Sequence, residues 1–243
     1  MSKKLRLVQF VRQKGFAVKE ALDLIRGGQV IVNNFPAKNP NFQINPKKEI
    51  VEIKAKVSLA NIPRKYYILN KPIETITTTG KDNRKTVMDC IKVDSQTKKT
   101  LFPVGRLDYK TTGLLIITND GHFARKILNP HAGVEKEYRA VVKGTLSPTD
   151  IKELQEGVLI AVDEKKYKTK PAKINVITSG ENTTCSMTIT EGKKRQVRLM
   201  FLEVGHKVLE LERVRIGRLL LGDLKHGEYR EMTAEEVKMM TSV

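Results

Sequence analysis

The stretch from Pro103 to Gly121 constrains this chain most. It reads Pro-Val-Gly-Arg-Leu-Asp-Tyr-Lys-Thr-Thr-Gly-Leu-Leu-Ile-Ile-Thr-Asn-Asp-Gly. A glycine-flanked turn carries one carboxylate, Asp108. An apolar strand, Leu114 to Thr118, follows it, and Asn119-Asp120-Gly121 closes that strand and can cap a helix. This arrangement holds a single acid on rigid backbone at a strand end. An aspartate that only hydrogen-bonds its own turn would give the same local spacing.

Short strand patterns and a few helices surround this stretch. Leu5, Val8, Phe10 and Val11 mark a short helix ending near Gly15. Lys19 to Arg26 reads as a second helix, with Ala21, Leu22 and Ile25 on one face and Gly27-Gly28 as its stop. Strand patterns follow at Gln29–Val32, running into Asn33-Asn34, and at Glu49–Ile53, with Pro40 to Asn45 a loop. Beyond a proline-terminated linker, strands are expected at Tyr66–Asn70, Ile73–Thr79, Lys136–Val142, Ala172–Ile177, Thr184–Thr190, Lys207–Leu211 and Arg213–Ile216. Thr86–Ile91 fits a short helix and Asp94–Thr100 a polar loop. Longer helices are expected at His122–Leu128, from Ser147-Pro148-Thr149-Asp150 to Glu156, at Lys193–Val204 and at Ala234–Met240. The sum is an α+β fold on a mostly antiparallel sheet. The expected domains are residues 1–58, a linker at 59–64, and a larger domain at 65–243.

Forty-five Lys and Arg against 27 Asp and Glu leave a formal charge of +18 on 243 residues. Such a surplus favours a polyanionic partner. No apolar run is long enough to span a bilayer and no early segment reads as a signal peptide, so a cytoplasmic protein without membrane attachment is expected. Two distant cysteines and four scattered histidines show no metal-ligand spacing. No phosphate-cradling loop or dinucleotide fingerprint occurs. No metal or cofactor is expected.

Gly105-Arg106-Leu107-Asp108, then Thr111-Thr112-Gly113-Leu114-Leu115, then Thr118-Asn119-Asp120-Gly121, together resemble the signature of the RsuA-like family of RNA pseudouridine synthases. The amino-terminal pattern of two helices and Gly-Gly-x-Val-x-Val-Asn resembles the S4-like RNA-binding domain. Many S4-like members carry Ser-Arg-Arg at the start of the second helix; Gly15-Phe16-Ala17-Val18-Lys19-Glu20 is one residue short of that pattern. Lys19 and Arg26 remain as candidate RNA contacts on this helix. A solvated basic surface would read the same way.

The resemblance implies that Asp108 is a nucleophile acting on a flipped-out uridine. An aspartate kept ionised away from water needs a nearby cation. Arg198 is the candidate, because Glu191-Gly192-Lys193-Lys194-Arg195-Gln196-Val197-Arg198 resembles the family segment whose arginine pairs with the catalytic aspartate. Many relatives have a second arginine where this chain has Leu199. Val197, Met200, Phe201 and Val204 fall on one helical face, with Arg195 and Arg198 beside it. Tyr138, in Lys136-Glu137-Tyr138, resembles the family's active-site tyrosine, which stacks on the base and moves a proton; a packed strand tyrosine is the plainer alternative. Arg106, Lys194 and Arg195 are candidate RNA contacts. Lys65 to Pro72 and Val104 to Tyr109 resemble the large-subunit, RluB-like branch. The implied function is site-specific conversion of uridine to pseudouridine in ribosomal RNA by a monomer, with a ribosomal subunit precursor as a further partner. A non-catalytic RNA-binding or ribosome-assembly factor on the same fold is the alternative, and a DNA-binding protein comes third.

Overall fold

The computed structural model describes residues 4–54, 62–80 and 82–242. The chain divides into two compact units, residues 1–63 and 64–243. Residues 59–61 of the expected linker lie outside the described residues.

In the first unit β1 (Leu5–Arg6) leads into α1 (Leu7–Gln13) and α2 (Val18–Arg26), followed by β2 (Val30–Val32), β3 (Phe35–Pro36), β4 (Gln43–Ile44) and β5 (Val51–Ile53). β3, β2 and β5 form a small antiparallel sheet, and β1 pairs with β4. The loop expected at Pro40–Asn45 therefore contains a short strand, and Leu5 opens a strand rather than a helix. Asn33 and Asn34 both take positive φ, 49° and 71°, which gives the β2–β3 hairpin a turn whose twist suits its strands. Leu7, Val11, Ala21, Leu24, Ile25, Val30 and Ile44 fill the core. On α2 it is Leu24, not Leu22, that joins Ala21 and Ile25 in that core.

The second unit runs β6 (Tyr66–Lys71), α3 (Ser95–Thr100), β7 (Phe102–Pro103), β8 (Thr112–Thr118), α4 (Gly121–Leu128), β9 (Lys136–Lys143), α5 (Pro148–Glu156), β10 (Leu159–Val162), β11 (Lys165–Lys168), β12 (Lys173–Thr178), β13 (Asn182–Ile189), α6 (Gln196–Glu203), β14 (Val208–Ile216), β15 (Leu219–Leu220), β16 (Tyr229–Glu231) and α7 (Ala234–Thr241). Among the described residues it holds a nine-stranded sheet in the order β12-β13-β9-β14-β8-β6-β16, with β15 on β14 and β7 on β8. Pairing is antiparallel except where β14 meets β8 in parallel. The sheet carries apolar layers on both faces. Leu115 and Ile117 pack into one, and Leu114 and Ile116 into the other. A central strand buried on both sides has to be continuously apolar, which is why Leu114 to Ile117 shows no alternation.

The turn after β8 caps α4: the Asp120 carboxylate accepts from the His122 and Phe123 amides at 2.8 and 3.2 Å. It also accepts the Tyr66 hydroxyl at 2.8 Å. Four local expectations need correction. Ile73–Thr79 forms an isolated bridge, Ile76 to Thr86, instead of a strand, because these residues brace the Asp108 loop. Asp94–Thr100 is a loop only at its first residue: the Asp94 carboxylate caps Gln96 and Thr97 and starts α3. α6 begins at Gln196 rather than Lys193, since Arg195 takes φ 54° at the helix entrance. Lys207–Leu211 and Arg213–Ile216 are one bulged strand, β14.

Candidate active site

Asp108 lies on the loop between β7 and β8, and that loop is fastened from several sides. Leu107 is buried, and its amide and carbonyl both bond the Thr77 hydroxyl, at 3.3 and 2.8 Å. The Glu74 amide donates to the Tyr109 carbonyl at 2.8 Å, and the Thr111 amide closes the turn onto the Asp108 carbonyl at 3.0 Å. Beneath the loop, the fully buried Lys71 ammonium donates to the carbonyls of Pro72 at 2.9 Å and Thr111 at 2.8 Å. Gly113 follows where β8 touches β14. A Cβ there would stand 2.3 Å from the Arg213 carbonyl oxygen, so only glycine permits this parallel contact.

The loop opens into a cleft of about 660 Å³ in the second unit. Asp108, Tyr138, Arg106, Lys194 and Arg195 all line it. Asp108 is partly buried, and its carboxylate makes no side-chain hydrogen bond or ion pair among the described residues. Tyr138 sits on β9 and is 8% exposed. Arg106 and Arg195 are exposed, while Lys194 pairs with Asp163. Lys19 and Arg26 stand exposed on α2 of the other unit, one face apart from its core residues.

Arg198 is placed differently from the expectation. It forms no direct ion pair with Asp108. Its guanidinium instead donates to the Lys110 carbonyl at 2.8 Å and the Val208 carbonyl at 3.1 Å, and its buried Nε has no partner. Two backbone acceptors, one in the Asp108 loop and one on β14, have claimed it. Burial pushes this guanidinium down, the Arg195 charge adds to that, and the Asp108 charge opposes it. Arg198 therefore ties the loop down and reaches Asp108 only through space.

Residues that the sequence reading passed over complete the cleft. Lys136 and Tyr138 are two apart on β9 and share a face. Arg213 faces Tyr138 across the β14–β9 pairing. Glu191, 8% exposed, organises the basic loop before α6: it accepts the Tyr167 hydroxyl, the Lys170 amide at 2.9 Å and the Gln196 side-chain amide at 2.6 Å. The Lys193 ammonium lies 4.4 Å from the Tyr167 ring centre. The Lys136–Tyr138 alternation was visible in the sequence; the Arg213 position depends on strand pairing and was not. Among the described residues, no group of three or more His, Cys, Asp or Glu side chains could hold a metal ion.

The family model described as RNA pseudouridylate synthase matches residues 65–203, and the S4 domain model matches residues 5–50. The chain belongs to the RNA pseudouridylate synthase family. It is 36% identical to an uncharacterized RNA pseudouridine synthase of Aquifex aeolicus, covering 97% of this chain and 93% of that protein. It is 34% identical to the ribosomal large subunit pseudouridine synthase B of Bacillus subtilis, over 98% and 96% of the two chains. The ribosomal small subunit pseudouridine synthase A of Escherichia coli is also 34% identical, over 96% and 98%. A crystal structure of a pseudouridylate synthase superimposes with a TM-score of 0.71 at 28% identity, covering 97% of this chain and 99% of that one. The protein is an RNA pseudouridine synthase with an S4 domain before its catalytic domain.

Proposed function

We propose that this synthase isomerises a specific uridine of large-subunit ribosomal RNA, with Asp108 as its nucleophile. The observation that carries the chemistry is an unpartnered carboxylate, on a loop braced by Lys71, Thr77 and Arg198, opening into the same cleft as Tyr138. Isomerisation breaks the bond from uracil N1 to C1′, forms a bond from C5 to C1′, removes the proton on C5 and returns one to N1. No electron leaves the substrate. A carboxylate can serve by attack at C6, by attack at C1′, or as the base of a glycal route. Tyr138 stacks on the turned base and takes part in the proton transfer at C5. Arg198 fixes the Asp108 loop through the Lys110 carbonyl and sets a positive charge near the carboxylate without pairing with it. Arg106, Lys194 and Arg195 hold the RNA strand at the mouth, and Lys19 and Arg26 of the S4 domain add phosphate contacts.

The ribosomal target draws on the domain order and on relatives whose names specify ribosomal subunits. Large- and small-subunit relatives are equally identical to this chain. The choice of large subunit rests on Lys65 to Pro72 and Val104 to Tyr109. No helix among the described residues is long and apolar enough to cross a membrane. We read the enzyme as a cytoplasmic monomer acting on free ribosomal RNA or a subunit precursor. Mapping pseudouridines in a deletion strain tests the target: one should vanish from large-subunit RNA. A loss confined to small-subunit RNA or to transfer RNA contradicts it.

A further inference from the structure

We propose that Lys136 and Arg213 form an anion subsite in the Asp108 cleft, and that it takes a phosphodiester of the RNA strand bearing the flipped-out uridine. The proposal rests on reading this cleft as the uridine site. Both side chains line the cleft together with Asp108 and Tyr138. Strand geometry puts them on one face as diagonal neighbours. Lys136 shares a face with Tyr138 on β9, and Arg213 is the direct partner of Tyr138 on β14.

Neither cation has a carboxylate partner among the described residues. The Lys136 ammonium spends one donor, on the Val134 carbonyl at 3.1 Å. Arg213 is 3% exposed; its Nε donates to the Leu114 carbonyl at 2.8 Å, and one terminal nitrogen is buried with no partner at all. Glu191 is the acid whose charge favours the Lys136 ammonium, yet its oxygens are already taken by Tyr167, Lys170 and Gln196. Burial, reinforced by the Arg213 charge, pushes the Lys136 ammonium down.

Two like charges sheltered from water with no counter-ion are unfavourable. An arriving anion reverses that balance, and hydrogen bonds to charged donors are the strong ones. The substrate is RNA, whose anionic group is the phosphodiester. Uracil is neutral and offers carbonyl oxygens that would not compensate two cations.

Thermal melting in inorganic phosphate, at ionic strength held constant with chloride, tests the site. Wild type should show a saturable rise in Tm. Lys136→Met should lose most of that rise, Lys136→Gln should behave alike, and Lys136→Arg should keep it. Equal phosphate-dependent rises in wild type and both neutral variants would overturn the anion subsite. The RNA assignment is read from binding: for Lys136→Met the slope of log affinity against log salt should fall by about 1. An unchanged slope and unchanged affinity for unmodified ribosomal RNA would overturn that part. Neither readout needs turnover, so failure here is distinguishable from failure of the Asp108 assignment.

Discussion

The Lys71 ammonium donates a 2.8 Å hydrogen bond to the Thr111 carbonyl from a position with no exposure to solvent. Its second short contact, 2.9 Å, goes to the Pro72 carbonyl. A buried charge thus underpins the loop that presents Asp108. Burial pushes this ammonium down to about 8, with Cys90 and Asp108 opposing the drop.

That depression has a definite sign. Between pH 8 and 10.5 the unfolded chain holds the Lys71 proton and the folded one releases it, so stability rises with pH in that window. Below pH 8 both states are protonated and the burial cost is constant. Lys71→Met has no such group. Wild type should therefore gain about 2–3 kcal/mol on this variant between pH 7.5 and 10, from 1.36 kcal/mol per pKa unit. Urea unfolding at the two pH values checks it. Parallel pH profiles for the two proteins would contradict it.

Arg198 holds two carbonyls and no carboxylate. Arg198→Ala should destabilise by about 1–3 kcal/mol, the cost of orphaned acceptors, rather than the larger cost of a broken buried ion pair. A thermal-melt cycle with Asp108→Asn should show coupling below about 1 kcal/mol in the RNA-free enzyme. Coupling of several kcal/mol would mean that the two side chains pair directly.

Tyr138→Phe keeps the ring proposed to stack on the base and removes the hydroxyl. RNA affinity should stay within about twofold, while turnover falls by about 10²-fold or more, the usual scale of a lost acid–base group. Wild-type turnover in this variant would remove the proton-transfer role.

A chain shortened to begin at Arg64 retains the whole sheet and cleft. It should fold, keep the Asp108 loop, and bind ribosomal RNA more weakly at fixed salt, because the basic α2 surface is gone. Affinity equal to the full chain would show that the S4 domain contributes no contacts.

Much of this was legible in the sequence, because local rules and global structure agree there. The Asp120 cap, the Ser147 capping box and the apolar Leu114–Ile117 strand follow from residues close in the chain. The misread segments depend on distant partners. Ile73–Thr79 looks like a strand by its β-branched residues, but Thr77 bonds Leu107, 30 positions away. The β10–β11 hairpin alternates weakly and escaped notice; its Tyr167 meets Glu191 only in three dimensions. Family resemblance drew Asp108, Tyr138 and Arg198 together. It could not supply the Arg198 geometry, since hydrogen bonds to backbone carbonyls leave no mark on the sequence. Lys71 falls just past the strand expected at Tyr66–Asn70, when it is that strand's last residue and the loop's buried support.

The central claim is that the unpartnered Asp108 carboxylate carries the reaction. Asp108→Asn removes the charge and the proposed nucleophile while keeping the shape, and it breaks no side-chain hydrogen bond or ion pair among the described residues. Its melting curve should match wild type within about 0.5 kcal/mol. Tritium release from unmodified ribosomal RNA labelled at uridine C5 is the direct measurement. The account predicts steady release by wild type and none by Asp108→Asn, with RNA affinity retained. Release by the folded asparagine variant at a rate near wild type would contradict it.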